Sequence, residues 1–270
     1  MVNPQIWRGW CINCYADRLC GKHILSFIHR QDKTTRYNDV KIIIFDNYLS
    51  ENIQKLNKLQ AFATLIKKPD RLKALLSYGH KGYLANIGWF KSFDSQQAID
   101  SNGDPLPWVT YSFIDFIKTR LNKELTIFEY GSGNSTLFYA KRVKRVVSVE
   151  HDEAWYNKIV KSKPENAEMI FCKLEKDGEY ARKASLLDEK FDIIIVDGRD
   201  RVNCCIHGIN ALNQGGIIVL DDSERKDYDK ASGLLKDAGF KELPFTGISP
   251  GLFYYKATSV FYKAENCLQI

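Results

Sequence analysis

Residues 125–136 read LTIFEYGSGNST, and this stretch decides the fold that the rest of the chain must complete. Its first six residues are mostly apolar, aromatic or β-branched, as in a buried strand. Gly131 and Gly133 then allow a sharp turn that brings the backbone close to a ligand. A helix is predicted directly afterwards, from Thr136, and it would present free N–H groups at the end of the strand. The stretch therefore predicts a strand–turn–helix unit with a binding site at the turn.

Outward from this unit, short apolar strands alternate with amphipathic helices. Further strands are predicted at 145–149, 168–172, 191–196 and 216–220. Helices are predicted at 111–121, 136–141, 154–160, 202–212 and 228–238. Two final runs, 242–245 and 253–262, have no helix between them and can pair as an antiparallel hairpin. The alternation predicts an α/β fold, a Rossmann-like and mostly parallel sheet covered by helices.

The segment before the sheet is predicted to be a helical N-terminal appendage with a flap, residues 1–106, and the sheet domain is predicted to span 107–270. Helical spacing over 51–68 and 70–77 indicates two helices, divided at Pro69, with Asp70 capping the second. Val40–Phe45 fits a short strand or a helical turn equally well. Residues 80–107 are predicted to form a loop-like connector.

Four large aromatic residues lie in the connector or directly after it, more than a plain linker contains: Trp89, Phe90, Phe93 and Trp108. The part from Gly82 to Trp108 is predicted to act as a flap over a substrate. Its aromatic rings suit two roles, stacking on a ring of the substrate or joining the appendage to the sheet, and the sequence favours neither.

Composition and charge narrow the classes of protein. The 270 residues are 44% hydrophobic and carry a net charge of +6. Residues 1–80 hold 13 Lys and Arg against 6 Asp and Glu, so the surplus lies there. This basic segment can be a solvated helical face. Alternatively, it can bind nucleic acid or an acidic membrane surface. Lacking a membrane-length apolar run and a secretory signal, the chain is predicted to be cytoplasmic.

The chain has seven cysteines, an odd number that favours reduced thiols over disulfides. Cys11, Cys14, Cys20 and His23 offer four ligands that zinc accepts, although they follow one another within a shorter segment than most zinc sites use. The two interpretations, a zinc site and ordinary thiols, both stand, with ordinary thiols favoured.

Polar residues collect where the predicted strands end, which is where open parallel sheets bind ligands. Glu150 closes the second strand, and its two acceptor oxygens suit the hydroxyls of a ribose. Position 136 is Thr where a dinucleotide fingerprint needs Gly, so a single nucleoside is favoured over a pyrophosphate. The predicted cofactor-binding residues are Glu129, Gly131, Gly133, Asn134, Ser135 and Glu150.

Residues 107–263 resemble class I S-adenosylmethionine-dependent methyltransferases. The resemblance rests on FEYGSGNST (128–136), VVSVEHD (146–152), FDIIIVDGRDR (191–201), GGIIVLDDS (215–223) and SVFYK (259–263). It implies a seven-stranded sheet whose last strand is antiparallel, and S-adenosylmethionine as the cofactor. It further implies that Glu129, Gly131 and Gly133 shape the pocket for the methionine part and that Glu150 holds the ribose. Ser135 departs from the family's usual glycine.

Three carboxylates, Asp197, Asp221 and Asp222, follow the fourth and fifth strands. Together they would repel one another unless a cation neutralises them. The layout resembles sugar and catechol-type O-methyltransferases, which hold magnesium with such residues, so all three are predicted metal ligands. Arg199 and Arg201 offer an alternative, because they can bind an anionic substrate or neutralise the acids without metal.

The predicted catalytic residues are Asp197, Asp222 and His151, with His207 and Tyr111 as weaker candidates. The predicted function is methyl transfer from S-adenosylmethionine, with Mg²⁺ as a further candidate cofactor, to a hydroxyl of a small molecule or a saccharide. One alternative is a non-catalytic nucleoside-binding or scaffold protein of the same fold. Another is a nucleic-acid methyltransferase, although the chain lacks the Asn/Asp-Pro-Pro-aromatic and Pro-Cys signatures of base-modifying enzymes.

Overall fold

The computed structural model describes residues 63, 66–79 and 81–270. Its centre is one seven-stranded sheet in the order β3-β2-β1-β4-β5-β7-β6. The strands are β1 (Thr126–Tyr130), β2 (Arg145–Glu150), β3 (Ala167–Phe171), β4 (Phe191–Val196), β5 (Leu212–Asp221), β6 (Lys241–Gly247) and β7 (Lys256–Tyr262). The first five strands are parallel, and β7 runs antiparallel to both β5 and β6. This is a Rossmann-like, mostly parallel α/β sheet with antiparallel C-terminal strands, so the predicted fold class of the sheet domain is confirmed.

Nine helices belong to the described residues. They are α1 (Pro69–Ser77), α2 (Tyr83–Asn86), α3 (Trp89–Ser95), α4 (Tyr111–Lys118), α5 (Asn134–Ala140), α6 (Glu153–Ile159), α7 (Glu179–Leu186), α8 (Arg201–Gly208) and α9 (Asp229–Asp237). Single 3-10 turns lie at Val160–Ser162, Ile209–Ala211 and Lys226–Tyr228. Asp70 lies inside the first turn of α1, so its prediction as the cap of that helix is wrong; Pro69 itself opens the helix, where its missing N–H costs nothing.

The prediction of a loop-like connector over 80–107 is also wrong, because α2 and α3 form there. Its glycines suggest loops, yet Gly88 begins α3 with a left-handed φ of 80°. A Cβ at Gly88 would lie 2.2 Å from the backbone carbon of Asp100, so the helix and the following turn approach each other through this residue. Helix α7 was not predicted at all.

Side chains alternate between the two faces of the sheet and form one apolar core on each face. On β1, Ile127 enters the first core, while Phe128 and Tyr130 enter the second. The same alternation holds on β4, where Ile193 packs on the first face and Ile194 on the second. The sheet is therefore buried on both sides, and polar groups collect at the ends of its strands.

The chain divides into two units, Met1–Leu75 and Leu76–Ile270. The connector that carries α2 and α3 belongs to the second unit, since Trp89, Ala98 and Leu106 enter the first core. The domain boundary predicted at 106/107 stays a prediction. Three predictions concern residues that the structure does not describe. Two lie wholly outside the described residues, the strand or turn at Val40–Phe45 and the ligand set Cys11–His23, and the helix predicted at 51–68 lies largely outside them. Within the described part, no helix is long and apolar enough to cross a membrane.

Candidate active site at the carboxyl edge of the sheet

The glycine turn after β1 forms as predicted. Gly131 and Gly133 have positive φ angles of 102° and 151°, which strain any other residue. The Gly131 N–H donates to the carbonyl of Val149, the last residue but one of β2, at 2.9 Å. A Cβ at Gly131 would lie 3.5 Å from the backbone of Gly198, which follows β4. The turn thus lies where the ends of β1, β2 and β4 meet.

Glu129 holds this turn from within the protein. Its carboxyl is 1% exposed, and its Oε2 accepts hydrogen bonds from the Thr136 hydroxyl at 2.6 Å and the Ser148 hydroxyl at 2.8 Å. The Gly133 N–H in turn donates to the Thr136 hydroxyl at 3.1 Å. Burial raises the pKa of Glu129 to about 7, against the opposing hydrogen bonds of Ser135, Thr136 and Ser148. Glu129 therefore shapes the turn through Thr136.

Glu150 meets the turn at the end of β2, and it is fully buried. Its Oε2 accepts a hydrogen bond from the Ser132 hydroxyl at 2.8 Å. Its Oε1 accepts from the backbone N–H groups of His151 and Asp152 at 2.8 and 2.9 Å. Since a carboxylate oxygen can accept two hydrogen bonds, Oε2 keeps capacity for one more donor. The structure thus brings the glycine turn and Glu150 together.

Two predicted cofactor contacts are engaged within the protein. The Asn134 amide donates to the carbonyl of Ala98 at 2.9 Å, which fastens the connector to the glycine turn. Ser135 lies near the Glu129 carboxyl and opposes the rise of its pKa. Trp155, which the sequence analysis missed, donates from its indole N–H to the carbonyl of Ser132 at 2.9 Å. Its ring would lie 3.5 Å from a Cβ at Gly133, so it borders the turn.

The three aspartates after β4 and β5 converge as predicted, but they converge on basic side chains. Arg201 Nη2 lies 2.9 Å from Asp197 Oδ1, and Arg201 Nη1 lies 3.4 Å from Asp221 Oδ2 and 3.1 Å from Asp222 Oδ2. Lys256, the first residue of β7, places its Nζ 2.7 Å from Asp221 Oδ2 and 3.0 Å from Asp222 Oδ1. We call these five residues the charged cluster.

Burial and charge shift the pKa values of the charged cluster. Burial, aided by the charge of Asp221, raises the pKa of Asp197 well above its usual range. Burial acts in the same direction on Asp222, but Lys256, Arg201 and Arg225 together outweigh it and lower its pKa. Burial disfavours the charge on Lys256, and its carboxylate neighbours more than restore it, so its pKa is raised. The aspartates at 221 and 222 are therefore held by permanent cations.

The predicted magnesium site is not supported. Among the residues described, no group of three or more His, Cys, Asp and Glu side chains is arranged to hold a metal ion. All four carboxylate oxygens of Asp221 and Asp222 face donors, since Thr258 donates to Asp221 Oδ1 at 2.9 Å and Arg225 lies 2.7 Å from Asp222 Oδ2. The pairing with Arg201, which the sequence left open as an alternative, is the arrangement that forms.

The remaining candidate catalytic residues do not lie together. His151 places Nδ1 3.0 Å from Glu150 Oε1 and is 16% exposed, so it borders the cofactor side of the edge. His207 Nε2 lies 2.7 Å from Asp177 Oδ1 in a separate exposed ion pair. Burial raises the pKa of Tyr111, which disfavours it as a base.

Tyr180 was missed by the sequence analysis together with its helix, and its hydroxyl would lie 2.1 Å from a Cβ at Gly198.

No established family profile matches the chain, and no curated protein matches it in sequence. Several solved structures are similar to part of the chain at low sequence identity. A methyltransferase-like protein from Silicibacter pomeroyi is 19% identical over 59% of this chain and 89% of its own, with a TM-score of 0.44. A precorrin-6y C5,15-methyltransferase from Geobacter metallireducens is 15% identical over 63% and 96%, with a TM-score of 0.47. A Streptococcus mutans protein described as a methyltransferase, in complex with SAH, is 13% identical over 57% and 99%, with a TM-score of 0.43.

Proposed function

We propose that this protein is an S-adenosylmethionine-dependent methyltransferase that acts on a hydroxyl of a small molecule or a saccharide. The observation that carries the proposal is the meeting of the glycine turn with Glu150, through the 2.8 Å hydrogen bond from Ser132, at the carboxyl edge of a methyltransferase-type sheet. This edge is where open parallel sheets bind their ligands.

The residues of the edge fit an adenosyl cofactor. Glu150 Oε2 accepts one hydrogen bond, from Ser132, and its remaining acceptor capacity suits a ribose hydroxyl. Gly131 keeps the backbone bare beside Gly198, so the carboxyl ends of β1 and β4 approach without side chains between them. When bound, the cofactor supplies an activated methyl group on a sulfonium. The protein's task is then to orient the acceptor and remove its proton.

Asp197 is the base that we assign to this task. Its side chain is 23% exposed, whereas those of Asp221 and Asp222 are 0% and 5% exposed. Its Oδ1 accepts from Arg201, and its Oδ2 accepts no hydrogen bond from the residues described here, so this oxygen can take a proton from an acceptor hydroxyl. Burial raises the pKa of Asp197, so its ionised carboxylate accepts a proton more readily than an exposed aspartate does. His151 and Asp222 are then supporting residues, the first beside Glu150 and the second within the charged cluster.

The acceptor lies under the connector in this proposal. Trp89 donates to the carbonyl of Leu252 at 3.0 Å, and Trp108 donates to the carbonyl of Pro250 at 2.8 Å. The connector is therefore fastened to the β6–β7 loop by these tryptophans and to the glycine turn by Asn134. Phe253, which packs 4.4 Å from Trp89 between ring centroids, remains 58% exposed and offers a face for a sugar ring.

The test is transfer of tritium from methyl-labelled S-adenosylmethionine to a panel of neutral saccharides and phenols. We expect Asp197→Asn to lower kcat by about a hundredfold or more, with unchanged binding of S-adenosylhomocysteine. Asp188→Asn, an exposed aspartate just before β4, is the matched control and should have no effect. Cofactor binding without transfer to any acceptor would favour the scaffold alternative. Salt-sensitive binding of RNA or DNA together with transfer to it would favour the nucleic-acid alternative.

A further inference from the structure

The charged cluster holds its own cations at the place where the sequence predicts a metal. Arg201 is contributed by α8 and Lys256 by the start of β7, and their side chains are 9% and 7% exposed. Both reach Asp221 and Asp222 within 3.4 Å. A fixed cation on each side of two buried carboxylates takes over the neutralising role that a divalent ion would have.

Few carboxylate oxygens of the charged cluster are available as ligands for a metal ion. Asp221 Oδ1 accepts from Thr258, and Asp221 Oδ2 faces Lys256 and Arg201. Asp222 Oδ1 faces Lys256, and Asp222 Oδ2 faces Arg201 and Arg225. Among the described residues, Asp197 Oδ2 has neither a hydrogen bond nor an ion pair, and Asp222 Oδ1 has the ion pair with Lys256 but no hydrogen bond. Magnesium takes about six oxygen ligands, several of them water and one or two of them carboxylate oxygens, and beyond Asp197 Oδ2 this edge could supply a carboxylate oxygen only by breaking an ion pair or a hydrogen bond.

The balance of charges in and beside the charged cluster also argues against a bound metal ion. With all three aspartates ionised, Asp197, Asp221 and Asp222 carry three negative charges, which Arg201, Lys256 and Arg225 balance with three positive ones. Glu224 stands beside them, 4.0 Å from the Arg225 guanidinium, and burial raises its pKa. Lys256 is further fixed by donation to the carbonyl of Trp108 at 2.9 Å, so it cannot swing away without losing a third contact.

We propose that Arg201 and Lys256 are the permanent cations of this edge, and that the edge works without a divalent ion on an acceptor presenting a single hydroxyl. The second half of this inference rests on the proposed methyl transfer. A metal would favour two neighbouring acceptor oxygens that chelate it, whereas Asp197 Oδ2 can take one proton from one hydroxyl. Lys256 is thus a positioning residue, since it fixes Asp221 and Asp222 and contacts no acceptor.

The test measures metal binding directly, independently of any activity. Mn²⁺ is titrated into the full-length protein, and the electron paramagnetic resonance signal of free Mn²⁺ is followed, with Mg²⁺ as competitor. We expect the titration of the wild type to coincide with that of Asp221→Asn. Removing a cation should create a site, so folded Lys256→Gln should bind Mn²⁺ at least about tenfold more tightly than the wild type.

Two results would overturn the inference. One is stoichiometric Mn²⁺ binding by the wild type that Mg²⁺ displaces and Asp221→Asn abolishes. The other is a folded Lys256→Gln variant, verified by circular dichroism, that binds no more Mn²⁺ than the wild type. If that variant does not fold, the wild-type titration decides alone.

Activity supplies a second arm. With acceptors that have one hydroxyl or two neighbouring hydroxyls, transfer should be equal with Mg²⁺ and with a chelator; dependence on Mg²⁺ would overturn the inference. Absence of transfer to every acceptor would count against the proposed function, while the Mn²⁺ titration would still decide on the cations.

Discussion

Two regions of the carboxyl edge hold their carboxylates in different ways. At the ends of β1 and β2, Glu129 and Glu150 are held by hydroxyls, backbone N–H groups and the His151 ring. At the ends of β4 and β5, Asp221 and Asp222 are held by the charges of Arg201 and Lys256. The first region is built from groups that can exchange a hydrogen bond with a ligand, and the second from ion pairs that lock their members in place.

This difference indicates which of the two regions can bind a ligand. Breaking a buried ion pair costs several kcal/mol, whereas replacing one hydrogen bond to a carboxylate by another leaves the number of hydrogen bonds unchanged. The glycine turn and Glu150 are therefore the part of the edge where we propose that the cofactor binds. In the charged cluster, Asp197 Oδ2 is the group that can contact a ligand, and the other side chains are held in place by ion pairs.

The largest expected effect concerns the locked region. Lys256→Met leaves Asp221, which is fully buried, with a weakened set of partners, and should lower the free energy of unfolding by about 3–5 kcal/mol in urea denaturation. Lys236→Met is the matched control, because Lys236 pairs with Glu242 at 2.6 Å but is 53% exposed. The control should change stability by less than about 1 kcal/mol. Equal losses in the two variants would erase the proposed contrast.

A second variant acts where the two regions touch. A Cβ at Gly198 would lie 2.1 Å from the buried Tyr180 hydroxyl and 3.0 Å from the backbone of Tyr130, so Gly198→Ala should cost about 2–3 kcal/mol. Gly233→Ala in α9 is the control, since nothing lies within 4 Å of its Cβ position. That control should stabilise the protein by about 0.5–1 kcal/mol through helix propensity. A neutral Gly198→Ala would show that the ends of β1 and β4 are not tightly apposed.

A smaller effect, dependent on pH, belongs to the hydrogen-bonded region. Glu129 releases its proton near its ordinary pKa of 4.5 when unfolded, but near 7 when folded. Between those values the folded state binds more protons than the unfolded state, so stability is full below pH 4.5 and falls as pH rises through 7. The loss is at most about 3 kcal/mol. Glu129→Gln, which cannot ionise, should remove this slope; identical slopes in urea denaturation at pH 5 to 8 would contradict the assignment.

The sequence predicts the sheet well because the strands are continuous apolar runs bounded by polar turns. β4 is predicted at 191–196 and lies there, and the glycine turn and Glu150 meet as expected. Lys256 could not be found in this way, because its partners lie 34 and 35 residues earlier in the chain and meet it only through the antiparallel pairing of β5 and β7. Helices α2, α3 and α7 were missed because they are short and their burial comes from tertiary packing.

The most direct test of the account is isothermal titration calorimetry of S-adenosylhomocysteine with the wild type, Glu150→Gln and Glu153→Gln. Glu153 is exposed three residues beyond Glu150 and provides the matched control. The account predicts that the wild type and Glu153→Gln bind alike, and that Glu150→Gln binds about 10- to 100-fold more weakly through loss of a charged hydrogen-bond acceptor. A wild type that binds no S-adenosylhomocysteine, or a folded Glu150→Gln that binds it as tightly, would contradict it.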